Sequence, residues 1–276
     1  MKSFRTNVAC IALAACAASV PLFAQMQDNS EKQMTCDNGG NDGGRARHCE
    51  IREQSVPSAG RLSIDAGQNG GVTVKGWLRS EVLVRARVEA QGDTQPAAAA
   101  MASQVLIDSS GGQVRAVGPE PANDAGWSVS YEIFVPQFGD LAVKAHNGGV
   151  TIADVRGEIH FDVNNGGVHL KRVGGDVSGA TVNGGIQVDL AGTIWDGRQL
   201  EVSTTNGGVT VAMPASYSAH LQAETRSGTI QSDFPATLAA GNLRPRQLDS
   251  NIGAGGPLIH VTTQNGGVHL RRTETQ

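Results

Sequence analysis

Residues 147–150 read Asn-Gly-Gly-Val, and the chain writes this quartet again at Asn69, Asn165, Asn206 and Asn265, as Asn-Gly-Gly-Ile at Asn183 and as Ser-Gly-Thr-Ile at Ser227. From Asn147 onward the intervals between markers are 18, 18, 23, 21 and 38 residues. A short period with loop-sized variation marks a solenoid, in which each repeat is one supersecondary unit stacked on the next. The register around the markers is sharper than their spacing. Six residues before them stand Leu141, Ile159, Val177, Leu200, Leu221 and Ile259; three after stand Val150, Val168, Ile186, Val209, Ile230 and Val268. Four before and five after are also apolar, with Gly179 the smallest occupant and Ser232 the polar one. Even spacing on either side of the corner describes strand, Asn-Gly-Gly corner, strand, with alternate side chains pointing inward. A second corner recurs as Gly139-Asp140, Gly157-Glu158 and Gly175-Asp176, and the two corners close one coil. One coil buries too few apolar side chains to offset the entropy of ordering its backbone, so stability requires stacking.

Upstream, "RLSIDAG", "GVTVKGW", "EVLVRARVEA", "SQVLIDSS", "GGQVRAVG" and "WSVSYEIFVP" alternate apolar and polar residues as half-buried strands do. Between the third and fourth of these, Asp93 or Thr94 precedes Pro96 and a run of alanines, which predicts one short helix. The expected organisation is a signal peptide over 1–24, a flexible, disulfide-containing lead-in over 25–50, a β-rich segment with the helix over 51–137 and the repeats over 138–276.

The first 24 residues read as an export signal. Lys2 and Arg5 precede an apolar run from Val8 to Ala18, and cleavage is expected after Ala24. The rival is Leu13-Ala14-Ala15-Cys16, which has the form of a lipobox and would leave a lipidated Cys16. Ordinary cleavage is favoured because Ala17 to Phe23 is apolar where a lipoprotein tether is polar. Either route exports the chain, to the periplasm, the cell surface or the medium. No second apolar run reaches the ~20 residues of a membrane-spanning helix. Without the signal's two basic residues the net charge is 20 − 26 = −6, which argues against a nucleic-acid partner.

Cys36 and Cys49 are the cysteines beyond the signal, and the exported setting predicts that they pair. Closing such a loop is worth about 3 kcal/mol. Zinc is the rival, with His48 as a third ligand, but structural zinc takes four.

At the Asn-Gly-Gly corners, glycine is expected to supply positive φ, and stacked asparagines to form an amide ladder. Asn147, Asn165, Asn183, Asn206 and Asn265 are therefore structural corner residues. A phosphate cradle fails on pattern, because no Lys-Ser/Thr or helix start follows the glycines. Asp140, Glu158 and Asp176 share one register on three neighbouring coils and are weak calcium candidates; a solvated acidic edge near Lys144, Arg156 and Lys171 is the plainer reading. His146, His160, His169, His260 and His269 fall at outward positions, as surface histidines. Outward Asp162, Asp189, Glu201 and Lys171 could supply an acid and base, although charge on an outward strand position ordinarily serves solubility. No catalytic residue and no cofactor is expected.

The order of these parts, with "YEIFVPQFGDLAVKAHNGGVTI" opening the repeats, resembles the bacterial "putative adhesin" family of exported β-solenoids, domain of unknown function 4097. The likeness covers about residues 55–272 and rests on short, Gly-rich motifs in a shared register. It implies the fold and export, with adhesion as the proposed role, and it supplies no catalytic residues. The fold expected is therefore all-β, a right-handed parallel β-solenoid of about six coils, preceded by the β-rich segment with its helix. Arg271, Arg272 and Glu274 are expected to blunt the open edge after the last strand. The function expected is that of a non-catalytic envelope protein whose partner is a protein or glycan of the envelope or of another surface. An end-to-end polymerising scaffold and a polysaccharide-binding or polysaccharide-cleaving protein are the alternatives. His146, Asn164, Thr151, His169 and Gln187, outward and different from coil to coil, are where recognition is expected.

Overall fold

The computed structural model describes residues 34–36, 44–121, 125–234 and 246–273. The expected signal peptide over 1–24 with Cys16, residues 235–245 of the insertion, and Glu274 lie outside the described residues. The chain opens with β1 (Ala46–Pro57), β2 (Arg61–Asp65), β3 (Val72–Trp77) and β4 (Glu81–Gly92). Helix α1 (Gln95–Gln104) follows, capped by Thr94, whose hydroxyl accepts from the Ala97 N–H at 3.3 Å. Next come β5 (Leu106–Asp108), β6 (Gln113–Val117) and β7 (Gly126–Pro136). Strand pairs then flank each corner: β8 (Asp140–Asn147) with β9 (Val150–Ala153), β10 (Arg156–Asn165) with β11 (Val168–Lys171), β12 (Gly174–Asn183) with β13 (Ile186–Asp189), and β14 (Gly197–Asn206) with β15 (Val209–Pro214). The last are β16 (Ala219–Ser227) with β17 (Ile230–Ser232), β18 (Gln247–Ile252), and β19 (Leu258–Asn265) with β20 (Val268–Thr273).

Among the described residues these strands make two ten-stranded sheets. The first runs β1-β4-β7-β3-β9-β11-β13-β15-β20-β17 and the second β18-β16-β19-β14-β12-β10-β8-β2-β6-β5. Their inward rows meet in one core, from Leu62 and Ile64 at one end to Ile259 and Leu270 near the other. The rows read from the sequence are the rows that are buried: Leu141, Ile159, Val177 and Leu200 are each at most 1% exposed. Gly179 interrupts its row because its neighbour Phe161 fills the space; a Cβ there would lie 2.5 Å from the ring.

Three expectations are corrected. The sheets are mixed rather than purely parallel: the middle strands pair in parallel, whereas β1–β4, β4–β7, β5–β6 and β16–β18 are antiparallel. The stacking order departs from chain order, since β19 pairs with β14 on one side and β16 on the other, and β20 likewise lies between β15 and β17. Asn265 is thus inserted between Asn206 and Ser227. Arg271 and Arg272, expected after the last strand, instead lie within β20, paired with Ala212 and Met213 on one side and beyond the end of β17 on the other.

The repeat register also begins earlier than residue 138. Strand β2 pairs in parallel with β8 and β3 with β9, and Asn69 bridges Asn147. Similarly β1 starts at Ala46 rather than after residue 50; its sequence carries few apolar residues because one of its faces lies against α1 and the other is exposed at Arg47, Ile51, Glu53 and Ser55. The Arg52 guanidinium, for example, donates to the Val105 and Ala102 carbonyls at the end of the helix.

The corner glycines are needed for a reason other than the one expected. Those of the Asn-Gly-Gly quartets have no positive φ. Instead the first glycine lies flat on the rung before it: a Cβ at Gly166 would stand 2.1 Å from the Gly148 carbonyl oxygen, and one at Gly184 2.0 Å from that of Gly166. Positive φ belongs to the second corner, as at Gly175 (φ 103°), and to Asp154 (60°) and Arg172 (49°). The asparagines do form the ladder. Each Nδ2 donates to the preceding Oδ1, from Asn147 to Asn69 at 3.1 Å, then at 2.8 Å for Asn165, Asn183 and Asn206 and 2.9 Å for Asn265. Beneath it runs a second ladder without a sequence-level expectation. The hydroxyls of Thr181, Thr204, Thr263 and Thr225, all nearly buried, donate at 2.7–2.8 Å to the glycine carbonyl of the neighbouring corner. Their shared position, two before the marker, was the available signal, masked by Ala145 and Val163 in earlier rungs.

Candidate functional site

With the interior closed, what the molecule offers a partner is its outward rows. Cys36 and Cys49 are joined in a disulfide with Cα atoms 5.7 Å apart, so both sulfurs bond each other rather than a metal. On the outer face of the first sheet, near β1, charge crosses the strands in alternation. Arg85 donates to Glu53 at 2.5 Å and to Glu132 at 3.4 Å, and Glu132 also takes a 2.7 Å bond from Lys75. Arg85 and Glu132 are almost buried, which is tolerable because each is paired. Phe134 lies among them, stacked on Trp77 at 5.4 Å with the Lys75 and Arg85 cations 5.3 and 5.2 Å from its centroid.

Farther along the same face, His169 meets Asp189 at 2.6 Å, and Gln187 donates to the same carboxylate at 3.1 Å. Burial raises the Asp189 pKa, but the hydrogen bonds from His169 and Gln187 and the charges of His169 and Lys171 outweigh it, and the carboxyl lies below its ordinary range. At the adjacent corner Arg172 grips Asp154 with two bonds, at 2.7 and 2.6 Å, which stiffens two residues held in the left-handed region. Those bonds also hold the Arg172 pKa above its usual value, against the effect of burial.

On the outer face of the second sheet, His160 meets Ser178 at 3.2 Å, His260 faces Glu201 at 3.7 Å, and Asn164 meets His146 at 3.1 Å. His269, on the first sheet, lies 3.7 Å from Asp233. The histidines are therefore outward, each with a different neighbour.

The calcium candidates keep their shared register, yet each carboxylate is already engaged. Asp140 accepts the Glu158 backbone N–H at 2.8 Å, Glu158 pairs with Arg61 at 3.2 Å, and Asp176 pairs with Arg198. No group of three or more metal-binding side chains forms among the described residues. The candidate acid and base are divided between the sheets: Asp162 and Glu201 lie on β10 and β14 of the second, Lys171 and Asp189 on β11 and β13 of the first. Asp162 and Asp189 therefore share no cleft. No helix among the described residues is long and apolar enough to cross a membrane.

Two sheets wound on one core, with a corner repeated in register, define an all-β, solenoid-like repeat protein with one short helix among the described residues. The chain belongs to the Toastrack DUF4097 family, whose model matches residues 60–271. Among solved structures it is similar to one described as a "putative cell adhesion protein" from Clostridium sporogenes, at 12% identity over 82% of this chain and 100% of that one, with a TM-score of 0.45. It is similar also to a "putative lipid binding protein" from Parabacteroides distasonis (9% identity, 80% and 96% covered, TM-score 0.34). A third is a "putative adhesin" from Parabacteroides merdae (12%, 80% and 96%, 0.35). A search among curated proteins finds no match.

Proposed function

We propose that this is a non-catalytic exported protein of the cell envelope that acts as an adhesin or interaction scaffold through its outer sheet faces. The observation that carries this reading is the contrast between the two sides of each strand. Inward rows repeat Val, Ile and Leu from rung to rung, whereas outward rows change at every step: Thr151, His169, Gln187, Thr210 and His269 succeed one another across one face. A partner is thus offered a flat, varied polar surface on a rigid support, which is a recognition surface rather than a reaction vessel. Right-handed winding in about six coils, division into lead-in, β-rich and repeat segments with β1 beginning at Ala46 and the repeat register at Asn69, and release by signal cleavage or anchoring through Cys16 all belong to this reading.

End-to-end polymerisation is the weaker alternative. Three of the four outermost strands, β1, β5 and β18, are held antiparallel, and the fourth, β17, has three residues. Short and reversed edges discourage addition of another parallel rung. The adhesion reading is tested with a deletion strain: reduced attachment or aggregation, restored by the intact gene, supports it, and attachment equal to the parent's rejects it. Cross-linking of the tagged protein in cells, beside a Cys16→Ala variant, identifies the partner and the mode of anchoring.

A further inference from the structure

Beside the Asn ladder, on the outer face of the second sheet, lie two concavities of about 440 and 460 Å³. Val182, 41% exposed, lines both. Their outward walls are the positions one and three before the marker: His146 and Asn164 in one concavity, Ser203, Thr205, Thr262 and Gln264 in the other. Together they form a trough running along the stack, which gains one pair of side chains per rung at the ~4.8 Å strand spacing.

On the outer face of the first sheet His169, Gln187 and Asp189 satisfy one another, and at one end of the trough Asn164 meets His146. Between β14 and β19 the outward polar side chains of the trough do not. Among the described residues the side chains of Ser203, Thr205, Thr262 and Gln264 have no hydrogen-bond partner. Each of these hydroxyl and amide groups can both donate and accept. Charge is confined to the ends, with Lys144 and Asp162 at one and Glu224 and Arg226 at the other. Between them the floor is neutral and, at Ala180 and Val182, apolar. An extended peptide is poorly served: the backbone N–H and C=O groups under the trough are spent between rungs, so no edge is free for strand addition, and there is no deep apolar groove for a helix. A nucleic acid is opposed by the acidic balance of the exported chain.

We propose that this trough binds an extended, uncharged polysaccharide laid along the stack, with hydroxyls on successive sugars exchanging hydrogen bonds with successive rungs and a sugar's C–H face resting on Val182. The inference rests on the envelope reading above and supplies its ligand class. The test uses the purified protein titrated by calorimetry with neutral linear hexasaccharides of glucose, mannose and N-acetylglucosamine, beside their disaccharides. Expected is binding of at least one hexasaccharide roughly tenfold or more tighter than its disaccharide, lost in Val182→Arg and in Thr205→Trp and kept in Leu78→Arg, an exposed position between β3 and β4 away from the trough. Melting temperatures of the variants report folding. Binding of no hexasaccharide, or binding that ignores both trough variants while they remain folded, overturns the proposal, as does retention of extended peptides but no sugar. Attachment of cells carrying these variants, or Thr210→Arg on the first sheet, separates the two levels. Loss with Thr210→Arg but not with Val182→Arg sinks the trough and leaves the adhesion reading standing, whereas a deletion strain that attaches like its parent sinks the adhesion reading.

Discussion

Gly166 and Gly167 are adjacent in one corner but carry different constraints. A Cβ on Gly166 would meet the Gly148 carbonyl oxygen at 2.1 Å; one on Gly167 would meet nothing nearer than 3.5 Å. Gly166→Ala should therefore cost about 1–3 kcal/mol or more by urea unfolding, because backbone stacked on backbone cannot yield locally. Gly167→Ala should stay within about 0.5 kcal/mol of the parent; equal losses would contradict the close-approach explanation. At Thr204, replacement by Val removes the bond to the Gly184 carbonyl with little change of shape, and a loss of about 1 kcal/mol is expected. The Asn ladder was legible in the sequence because a solenoid returns the same residue to the same environment. Why glycine follows was not, since a repeated Gly-Gly fits positive φ and close backbone contact equally well until neighbouring rungs are in place. Nor did any residue type announce Asp154 and Arg172, whose left-handed conformations are held by each other's side chains.

Among the elements, β19 and β20 depart most from what the chain order suggests. Marker spacing counts rungs but is blind to their sequence in space, because the inward rows of β16 and β19 have the same pattern and either would fit beside β14. Hydrogen exchange gives a direct test. Amides of Val261 and Leu270, close to the end of the described chain, should exchange as slowly as those of Leu200 and Val211, since each strand has neighbours on both sides. Rapid exchange like that of a fraying terminus would refute the insertion. In β10 and β12, Phe161 and Gly179 are matched in volume; Gly179→Ala should destabilise, and Phe161→Leu in the same chain should recover part of that loss, a coupling readable in a double-mutant cycle.

At the scale of the molecule, stability should have a plateau with two limbs. Asp189, Glu50 and Asp108 lie below the ordinary carboxylate range in the fold, so their contribution is present above that range and is lost as pH falls through and below about 4. Burial, reinforced by the charges of Asp65 and Asp196 respectively, pushes the phenols of Tyr131 and Tyr217 up, so theirs is complete below about pH 10 and lost as pH rises beyond it. Melting temperature against pH checks both, with Asp189→Asn flattening the acid limb and Tyr131→Phe the alkaline one. Because the Tyr131 hydroxyl has no hydrogen-bond partner among the described residues, the latter variant should otherwise leave stability nearly unchanged. Fold class and the buried rows were legible because period and register repeat. The trough was only half legible: His146 and Asn164 stood out as variable outward residues, but the unpartnered hydroxyls at Ser203, Thr205 and Thr262 come together only when β14 and β19, two rungs from distant parts of the chain, lie side by side. The insertion of β19 and β20 also sets a timetable for biogenesis. Synthesis delivers β16 and β17 first, so until later residues arrive the nascent stack must either keep a vacancy beside Asn206 or close it with the wrong strand and reopen it. The chain cannot simply zip up rung by rung as it is made, and an interior rung waits on residues made after those of its outer neighbour.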